Sequence, residues 1–333
     1  MPPVDNDHAR WLAAAARLAA RGRPASAPNP AVGAIVVKDG RVIARGWTRA
    51  GGRPHAEAVA LEAAGRAARG ATLYVTLEPC AHESARGPAC ADLIAQSGLA
   101  KVVAGIADPD PRTCGKGAGR IREAGIQAEV LEDANARASL AGYLLRAREN
   151  RPFVTLKLAM SLDGAIATGE GESRWTTGPE ARAHVHAVRA RQDAIIVGGA
   201  TLRADEPRLD VRLPGYGGPH PMRFALSRSP VPGGWTQLPA ADDLSALAPA
   251  QYAYVEGGAG AAAAFLAADK VDALHLYRAP ILVGGGRPAL SDIGLPSLAE
   301  AHGHWRMTDS RRLGSDRFEA YERVRDQQDQ REI

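Results

Sequence analysis

Short apolar segments alternate with helix-forming segments along nearly the whole chain, and this alternation limits the possible fold most strongly. An amphipathic helix is predicted at residues 7–21, followed by a hairpin in "AIVVKDGRVIA" with its turn at residues 38–40. Segments of helix and strand character then follow one another to about residue 145. This pattern is typical of an α/β layered domain.

A polar stretch closed by proline, "RENRP" at residues 148–152, separates this pattern from a second one. Strand-like "FVTLKLAMS", helix-like "GPEARAHVHAVRARQ" and strand-like "DAIIVGG" begin a second α/β domain. The sequence therefore predicts domains at residues 1–147 and 148–325, and a polar tail at 326–333. The proline- and alanine-rich stretch 229–249 is predicted to be a surface loop with little regular structure.

Composition and charge exclude several classes of protein. The net charge of +4 is spread along the 333 residues without a Lys/Arg block, so we expect no binding to nucleic acid or to a membrane. No apolar run approaches the roughly 18–20 residues of a membrane span, and the N-terminal segment lacks the signal-peptide pattern. Three cysteines do not make a disulfide framework. These features predict a cytoplasmic protein.

Four residues in the first half have the types and order of a catalytic zinc site. His55 and Glu57 lie in "PHAEA" at a helix start, Cys80 follows a strand, and Cys90 begins the next helix. Zinc binds imidazole nitrogen and thiolate sulfur, and a catalytic site leaves one position open for water. A zinc-bound water has a pKa of roughly 7. This set, His-x-Glu followed by Pro-Cys and a second Cys, is that of the zinc base deaminases, with Glu57 as the proton shuttle.

Each part of this set is uninformative when taken alone. A His-x-Glu pair on a helix is commonly just two polar side chains facing solvent, and two cysteines separated by nine residues fit a disulfide by loop length. A reducing compartment disfavours the disulfide. Cys114 belongs to no motif, and we predict a structural role in the core or in a loop.

Longer stretches resemble one family. "PNPAVGAIVVKDG", "HAEAVAL", "TLEPCAH" and "ADPDPRTCGKGAGRIREAGI" look like the N-terminal domain of the bifunctional riboflavin-biosynthesis deaminase–reductases. "TLKLAMSLDGAIAT", "GESRWTT", "GGATLRADEPRLDVR" and "VEGGA" look like the C-terminal reductase domain of the same family. The resemblance covers almost the whole chain in the family's domain order.

The resemblance implies two reactions. The first is hydrolytic deamination of 2,5-diamino-6-ribosylamino-4(3H)-pyrimidinone 5′-phosphate, and the second is NADPH-dependent reduction of the ribosyl side chain to a ribityl chain. It implies a cytidine-deaminase-like three-layer domain, a dihydrofolate-reductase-like domain, and a homodimer formed through the reductase domain. His55, Cys80 and Cys90 match the family's Zn²⁺ ligands, Glu57 its proton donor, and Asn29 a position that faces the pyrimidine.

In the second half, "VEGGAGAAAA" indicates a strand, a glycine turn and a helix start, where backbone N–H groups suit a phosphate. A guanidinium fork suits the substrate's 5′-phosphate, which makes Arg189 and Arg212 candidates. Lys157 and Asp163 flank one strand, and Asp163 fits a site role or a turn equally well. By family position, the cofactor would contact Ala159, Trp175, Thr201, Asp205, Ser227, Gly258, Ala259 and Gly260, and the substrate Ser173, Arg189, Leu209, Arg212 and Glu256.

The chain departs from the family pattern at three places. The loop between the zinc-site cysteines reads "CAHESARGPAC", Ser227 stands where the family's strand ends in Asp, and the segment 229–254 is short. These departures leave an alternative in which only the deaminase is active and the C-terminal half is a scaffold or dimer interface. A deaminase acting on nucleic acid is disfavoured, because aromatic residues make up only 5% of the chain and its charge is dispersed.

Overall fold

The computed structural model describes residues 6–82 and 86–325. The predicted tail at 326–333 lies outside the described residues. The chain forms two compact units, one running to Asn150 and the other beginning at Arg151. Within the described residues, no helix combines the length and the apolar character that a membrane span needs.

The first unit contains a five-stranded mixed sheet in the order β2-β1-β3-β4-β5. Strand β1 is antiparallel to both of its neighbours, and β3, β4 and β5 are parallel. The elements are α1 (Asn6–Ala19), β1 (Gly33–Lys38), β2 (Arg41–Trp47), α2 (Ala56–Ala64), β3 (Thr72–Val75), α3 (Cys90–Ala95), β4 (Lys101–Ala104), α4 (Lys116–Glu123), β5 (Gln127–Val130), α5 (Ala134–Ser139) and α6 (Ala141–Glu149).

Both faces of this sheet are covered by helices. Successive residues of a strand point to opposite faces, and in β1 the buried Ile35 packs with Trp11 and Leu12 of α1. Its neighbours Ala34 and Val36 pack in a separate core with residues of α2, α3 and α4. The apolar run of β1 is continuous because the strand is buried on both sides. The predicted three-layer α/β arrangement is therefore confirmed.

The second unit contains an eight-stranded sheet in the order β10-β9-β8-β11-β6-β12-β15-β14. The first six strands are parallel, and β15 is antiparallel to both of its neighbours. The elements are β6 (Phe153–Met160), β7 (Ala165–Ala167), α7 (Pro179–Arg189), β8 (Ala194–Gly198), α8 (Gly199–Asp205), β9 (Met222–Leu226), β10 (Thr236–Leu238), β11 (Tyr252–Val255), α9 (Ala259–Ala267), β12 (Ala273–Arg278), β13 (Arg287–Pro288), β14 (Trp305–Leu313) and β15 (Asp316–Arg323).

The parallel strands of this sheet also have two buried faces. Ile196 and Val255 pack with Phe265 of α9 on one face, whereas Ile195 packs with Leu202 of α8 on the other. Because β9, β8 and β11 are adjacent and parallel, their carboxyl ends meet at one edge of the sheet. In open α/β sheets this edge is where ligands bind.

The prediction of a surface loop at 229–249 is wrong. The segment contains β10, which pairs in parallel with β9 so that Leu238 lies opposite Leu226. Leu238, Leu244 and Leu247 are fully or almost fully buried in the core shared with α9. The segment is rich in proline and alanine, and its buried leucines follow one another at spacings of six and then three residues. These spacings together match no single strand or helix period, so the sequence did not indicate that the leucines are buried. The hairpin of β14 and β15 was likewise not predicted.

Candidate active sites

The first candidate site lies where two helices begin beside the parallel part of the first sheet. His55 is the residue that precedes α2, and Cys90 is the first residue of α3. Cys80 lies beyond the end of β3, and its backbone carbonyl accepts a hydrogen bond from Ala91 N at 3.1 Å. His55 before α2 and Ala89 before α3 both have extended backbone, so each helix begins abruptly at the site.

The three side chains converge on one point. His55 Nδ1 lies 3.3 Å from Cys90 Sγ and 3.6 Å from Cys80 Sγ. The candidate ligand atoms all lie within 4.8 Å of one another. Tetrahedral zinc, with bonds of about 2.3 Å to sulfur and about 2.0 Å to nitrogen, places such atoms about 3.5 Å apart. Both thiols are free rather than joined in a disulfide. The donor set and its spacing therefore fit zinc.

The electrostatics of this site favour one thiolate and one protonatable carboxyl group. A hydrogen bond from the Cys90 thiol lowers the pKa of Cys80 to about 4, and the backbone N–H of Cys90 also donates to Cys80 Sγ at 3.2 Å. Glu57, in the first turn of α2, is only 3% exposed. Burial raises the pKa of its carboxyl group. Glu57 thus holds a proton more readily than an exposed glutamate does, which suits a group that accepts and donates protons.

A cavity of about 310 Å³ opens onto these residues. Asn29 lies in its wall, with Nδ2 3.5 Å from His55 Nε2 and 3.3 Å from the carbonyl oxygen of Gly52. The structure thus brings together the five residues predicted for this half of the chain. The cavity is lined by Pro28, Asn29, Pro30, Val32, Thr48, Arg53, His55, Glu57, Leu77, Glu78, Cys80, His82, Arg86, Asp108, Asp110, Arg112 and Tyr143.

Two carboxyl groups of this wall were missed by the sequence analysis. Glu78 is 2% exposed and accepts hydrogen bonds from the backbone N–H groups of Gly115 and Ala118, both at 3.0 Å. Asp108 accepts one from the hydroxyl of Tyr143 at 2.7 Å, and burial raises its pKa. Both acids belong to stretches already quoted for the family resemblance. Their partners are about 30 to 40 residues away, so spacing alone gave no signal.

The second candidate site contains a buried ion pair. Arg189 at the end of α7 donates to Glu256 from Nε at 2.6 Å and from Nη2 at 2.8 Å, and from Nη1 to the carbonyl of Asp210 at 3.1 Å. Burial opposes the charge of Glu256, but the hydrogen bonds from Arg189 prevail and lower its pKa. Burial also lowers the pKa of Lys157 on β6 beside this pair. Because its fork is occupied, Arg189 is poorly placed for the phosphate role that the sequence suggested.

The predicted cofactor residues gather at the carboxyl edge of the second sheet. Thr201 Oγ1 lies beside Gly258, which precedes α9, and Ser227 Oγ lies beside Gly199, which begins α8. A Cβ atom on Gly257 would lie 2.6 Å from the Cβ of Ala261, so the strand-to-helix turn needs glycine there. The first N–H groups of α9, at Ala259 and Gly260, follow this turn. The arrangement fits the phosphates of a dinucleotide.

Two loops bring further predicted residues to this unit's site. Arg174, between Ser173 and Trp175, donates to the carbonyl of Asp205 at 3.0 Å. Trp175 itself is 68% exposed. The backbone N–H of Arg212 donates to His186 of α7 at 3.2 Å, which holds the loop containing the buried Leu209 against that helix.

Ala159 and Asp163 lie on the strand and turn that follow Lys157. Ala159 packs beside the buried Tyr254 and Tyr277. Asp163 accepts hydrogen bonds from the Ser161 hydroxyl and from the backbone N–H of Gly284 at 2.9 Å. The hydroxyl of Ser161 is the main cause that lowers the pKa of Asp163 to about 2. Of the two interpretations of Asp163, these contacts favour the turn.

Comparisons with known proteins match both units of the chain. Residues 5–106 match the family model of the cytidine and deoxycytidylate deaminase zinc-binding region, and residues 152–232 and 240–317 match that of the RibD C-terminal domain. The chain is 36% identical over 350 residues to the riboflavin biosynthesis protein RibD of Bacillus amyloliquefaciens, covering 92% of this chain and 94% of that protein. The chain belongs to the RibD family.

Other members agree with this assignment over different lengths. The RibD protein of Haemophilus influenzae is 47% identical over 196 residues, 59% of this chain and 52% of that protein. The chain thus spans about half the length of that relative and of several others. A crystal structure of a diaminohydroxyphosphoribosylaminopyrimidine deaminase/5-amino-6-(5-phosphoribosylamino)uracil reductase from Thermotoga maritima superposes with a TM-score of 0.83 at 30% identity, covering 96% of this chain and 99% of that one. The predicted fold class, cytidine-deaminase-like and then dihydrofolate-reductase-like, is confirmed.

Proposed function

We propose that the chain is a bifunctional enzyme of riboflavin biosynthesis. Its first unit would deaminate 2,5-diamino-6-ribosylamino-4(3H)-pyrimidinone 5′-phosphate, and its second unit would reduce the ribosyl group of the product with NADPH. The observation that carries the proposal is the convergence of His55 Nδ1 on two cysteine sulfurs at 3.3 and 3.6 Å, beside the buried Glu57. The name of the Thermotoga maritima protein, which states both activities, supports it.

In the deaminase site, His55, Cys80 and Cys90 would hold Zn²⁺. When bound, the metal supplies a water of lowered pKa as the nucleophile. Glu57 would transfer two protons through its carboxylate oxygens. It would take the first from the water and deliver it to the ring nitrogen as the C–O bond forms. It would take the second from the new hydroxyl group and deliver it to the amino group, which leaves as ammonia when the C–N bond breaks. Burial raises the pKa of this carboxyl group, which favours its protonated form between the two transfers. Asn29, beside His55, would orient the pyrimidine in the cavity.

In the reductase site, the residues at the carboxyl edge would hold NADPH, which supplies a hydride when bound. Its phosphates would lie against the start of α9 at Gly258, Ala259 and Gly260, with Thr201 beside them. Glu256, fixed by Arg189, would orient hydroxyl groups of the ribosyl chain. Arg212 is the better candidate for the 5′-phosphate, because its side chain is 46% exposed and pairs with Asp210 through Nη1, whereas the Arg189 side chain is 10% exposed and held by Glu256 from two nitrogens.

The proposal also covers the oligomeric state of the protein and the compartment in which it acts. Dimerisation would occur through the reductase domain, as the family resemblance implies. The protein would act in the cytoplasm, where a reducing environment keeps the thiols of Cys80 and Cys90 available for metal.

The two activities can be measured separately. The diaminopyrimidine ribosyl phosphate is supplied to zinc-loaded protein with and without NADPH, while ammonia release and cofactor absorbance are followed independently. We expect ammonia in both cases and NADPH oxidation only when the substrate is present. Ammonia without NADPH oxidation would leave a deaminase with a reductase-like scaffold, and the absence of ammonia would refute the deaminase assignment.

A further inference from the structure

Arg53, Arg86 and Arg112 line the cavity of the first unit. They differ in the groups that their guanidinium nitrogens already contact. Arg112 is paired with Asp110, to which its Nε donates at 3.0 Å. This contact also lowers the pKa of Asp110, so the pair forms one compensated unit. Arg86 donates from Nη2 to the carbonyl oxygen of Gly51.

For Arg53, the described residues provide no carboxylate partner. Arg53 is half-buried and lies two residues before His55. Within residues 6–82 and 86–325, its only hydrogen bond is from Nη1 to the carbonyl of Pro88 at 3.3 Å, and it pairs with no carboxylate. A carbonyl occupies one N–H of the fork, so the remaining donors stay available to an anion in the cavity.

The surrounding backbone holds this guanidinium in place. Arg53 reaches across to the segment that contains Arg86, and Arg86 reaches back to Gly51 in the loop before Arg53. Gly87, at φ 137°, lets the chain approach closely, since a Cβ atom there would lie 3.2 Å from Arg53 Nη1. The two loops thus contact each other through these arginines, and a guanidinium that already has one contact loses less entropy on binding an anion.

We propose that Arg53 binds the substrate's 5′-phosphate in the deaminase cavity and so makes the deaminase selective for phosphorylated substrates. The proposal rests on the proposed function above. The pyrimidine must reach Glu57, whose side chain is almost fully buried. The phosphate is the most strongly hydrated part of the substrate, so it stays near the arginines, which are at least partly exposed. The same cavity wall also presents the carboxyl groups of Glu57, Glu78, Asp108 and Asp110, which disfavour a phosphate near them. Arg53 offsets this repulsion where the anion lies.

The test compares Arg53→Ala and Arg53→Lys with Arg49→Ala as the matched control. Arg49 lies in the same loop but stacks on Trp47, with its guanidinium carbon 4.1 Å from the ring centroid, and it does not line the cavity. Ammonia release is measured for the phosphorylated substrate and for the same compound without its phosphate, in full-length zinc-loaded protein. Zinc content and Tm of each variant show whether the site and the fold are intact.

We expect Arg53→Ala to raise KM for the phosphorylated substrate roughly 10- to 100-fold, the range of a charge-assisted contact. Its kcat, and the kinetics with the dephosphorylated compound, should stay close to those of the unsubstituted protein. Arg53→Lys should recover part of the loss, and Arg49→Ala should change neither substrate's KM. An equal loss with both substrates, or no loss with either, would overturn the proposal.

If the unsubstituted protein releases no ammonia, the proposed function fails while the phosphate site remains testable. Isothermal titration with ribose 5-phosphate then reports binding directly. Arg53→Ala should remove one binding event that Arg49→Ala retains. Identical titration curves for these two variants would refute phosphate binding by Arg53.

Discussion

His55 Nδ1 and Cys90 Sγ lie 3.3 Å apart although 35 residues separate them in the chain. Each residue stands at the start of a helix that packs on the same face of the first sheet. The metal site therefore depends on the packing of α2 and α3 against that face, with Cys80 completing it from the end of β3. Loss of one ligand, the proton shuttle or the supporting packing should produce three distinguishable defects.

Glu57→Gln should keep zinc and lose deamination, because the amide preserves the shape of the side chain but cannot carry the proton. The loss in kcat should be about 10²- to 10⁴-fold, the usual contribution of general acid–base catalysis. Ammonia release and zinc content check this. Glu62→Gln, an exposed position on the same helix, is the control and should be silent. Loss of zinc from Glu57→Gln would mean that Glu57 is a ligand.

Cys90→Ser should lower zinc occupancy and abolish ammonia release, because a hydroxyl group is a poor zinc ligand beside a thiolate and an imidazole. Cys114→Ser is the matched control, since Cys114 is exposed and lies outside the metal cluster. A chelator added to the unsubstituted protein should likewise abolish ammonia release. It should leave NADPH oxidation unchanged when the deaminated intermediate is supplied as the substrate. Full zinc content in Cys90→Ser would contradict the ligand assignment.

Two glycines of α4 should respond in opposite ways to alanine. A Cβ atom on Gly117 would lie 1.9 Å from the carbonyl oxygen of Pro79, next to Cys80, whereas one on Gly119 meets nothing within 4 Å. Gly119→Ala should stabilise by up to about 1 kcal/mol through helix propensity. Gly117→Ala should destabilise by about 1–3 kcal/mol through overpacking and reduce zinc affinity. Urea unfolding measures the change in stability, and zinc titration measures the change in affinity. Equal stability and equal zinc affinity of the two variants would exclude the close packing of α4 on the backbone at Pro79.

The stability of the second unit should fall in mild acid because of His275. Burial lowers its pKa to about 4, with the charge of nearby His184 and Arg311 in the same direction and that of Asp309 against it. The unfolded chain binds this proton near pH 6.5. Between pH 6.5 and 4 the unfolded state therefore holds more protons, and the free energy of unfolding decreases by at most about 3 kcal/mol as the pH falls.

His275→Gln should remove this contribution, since an amide does not titrate while it can still contact Tyr254, whose hydroxyl lies 3.4 Å from His275 Nδ1. Urea unfolding from pH 7 to 4 should therefore show a steeper loss for the unsubstituted protein than for the variant. Parallel pH profiles would show that His275 is not the group responsible.

Much of the deaminase site could be predicted because its chemistry is local in sequence. His55 and Glu57 share one helix start, and "EPC" marks the end of a strand, so residue type and element type agree at each position. The second unit was harder to predict. The segment 229–249 has no clear periodicity, yet Leu238 and Leu247 are fully buried in the core of that unit, because pairing with β9 and packing near α9 decide their burial.

The sequence by itself determined the two α/β patterns, the order of the domains and the donor set for zinc. These properties follow from residue types and short spacings, which the chain carries before it folds. Only the tertiary structure decided how charges are paired. It placed Arg189 on Glu256, 67 residues away in the chain, and within the described residues it brought no carboxylate to Arg53. Ion pairing between distant segments depends on distances that exist only in the folded chain, and these distances also decide how strongly a guanidinium is already bound before a substrate arrives.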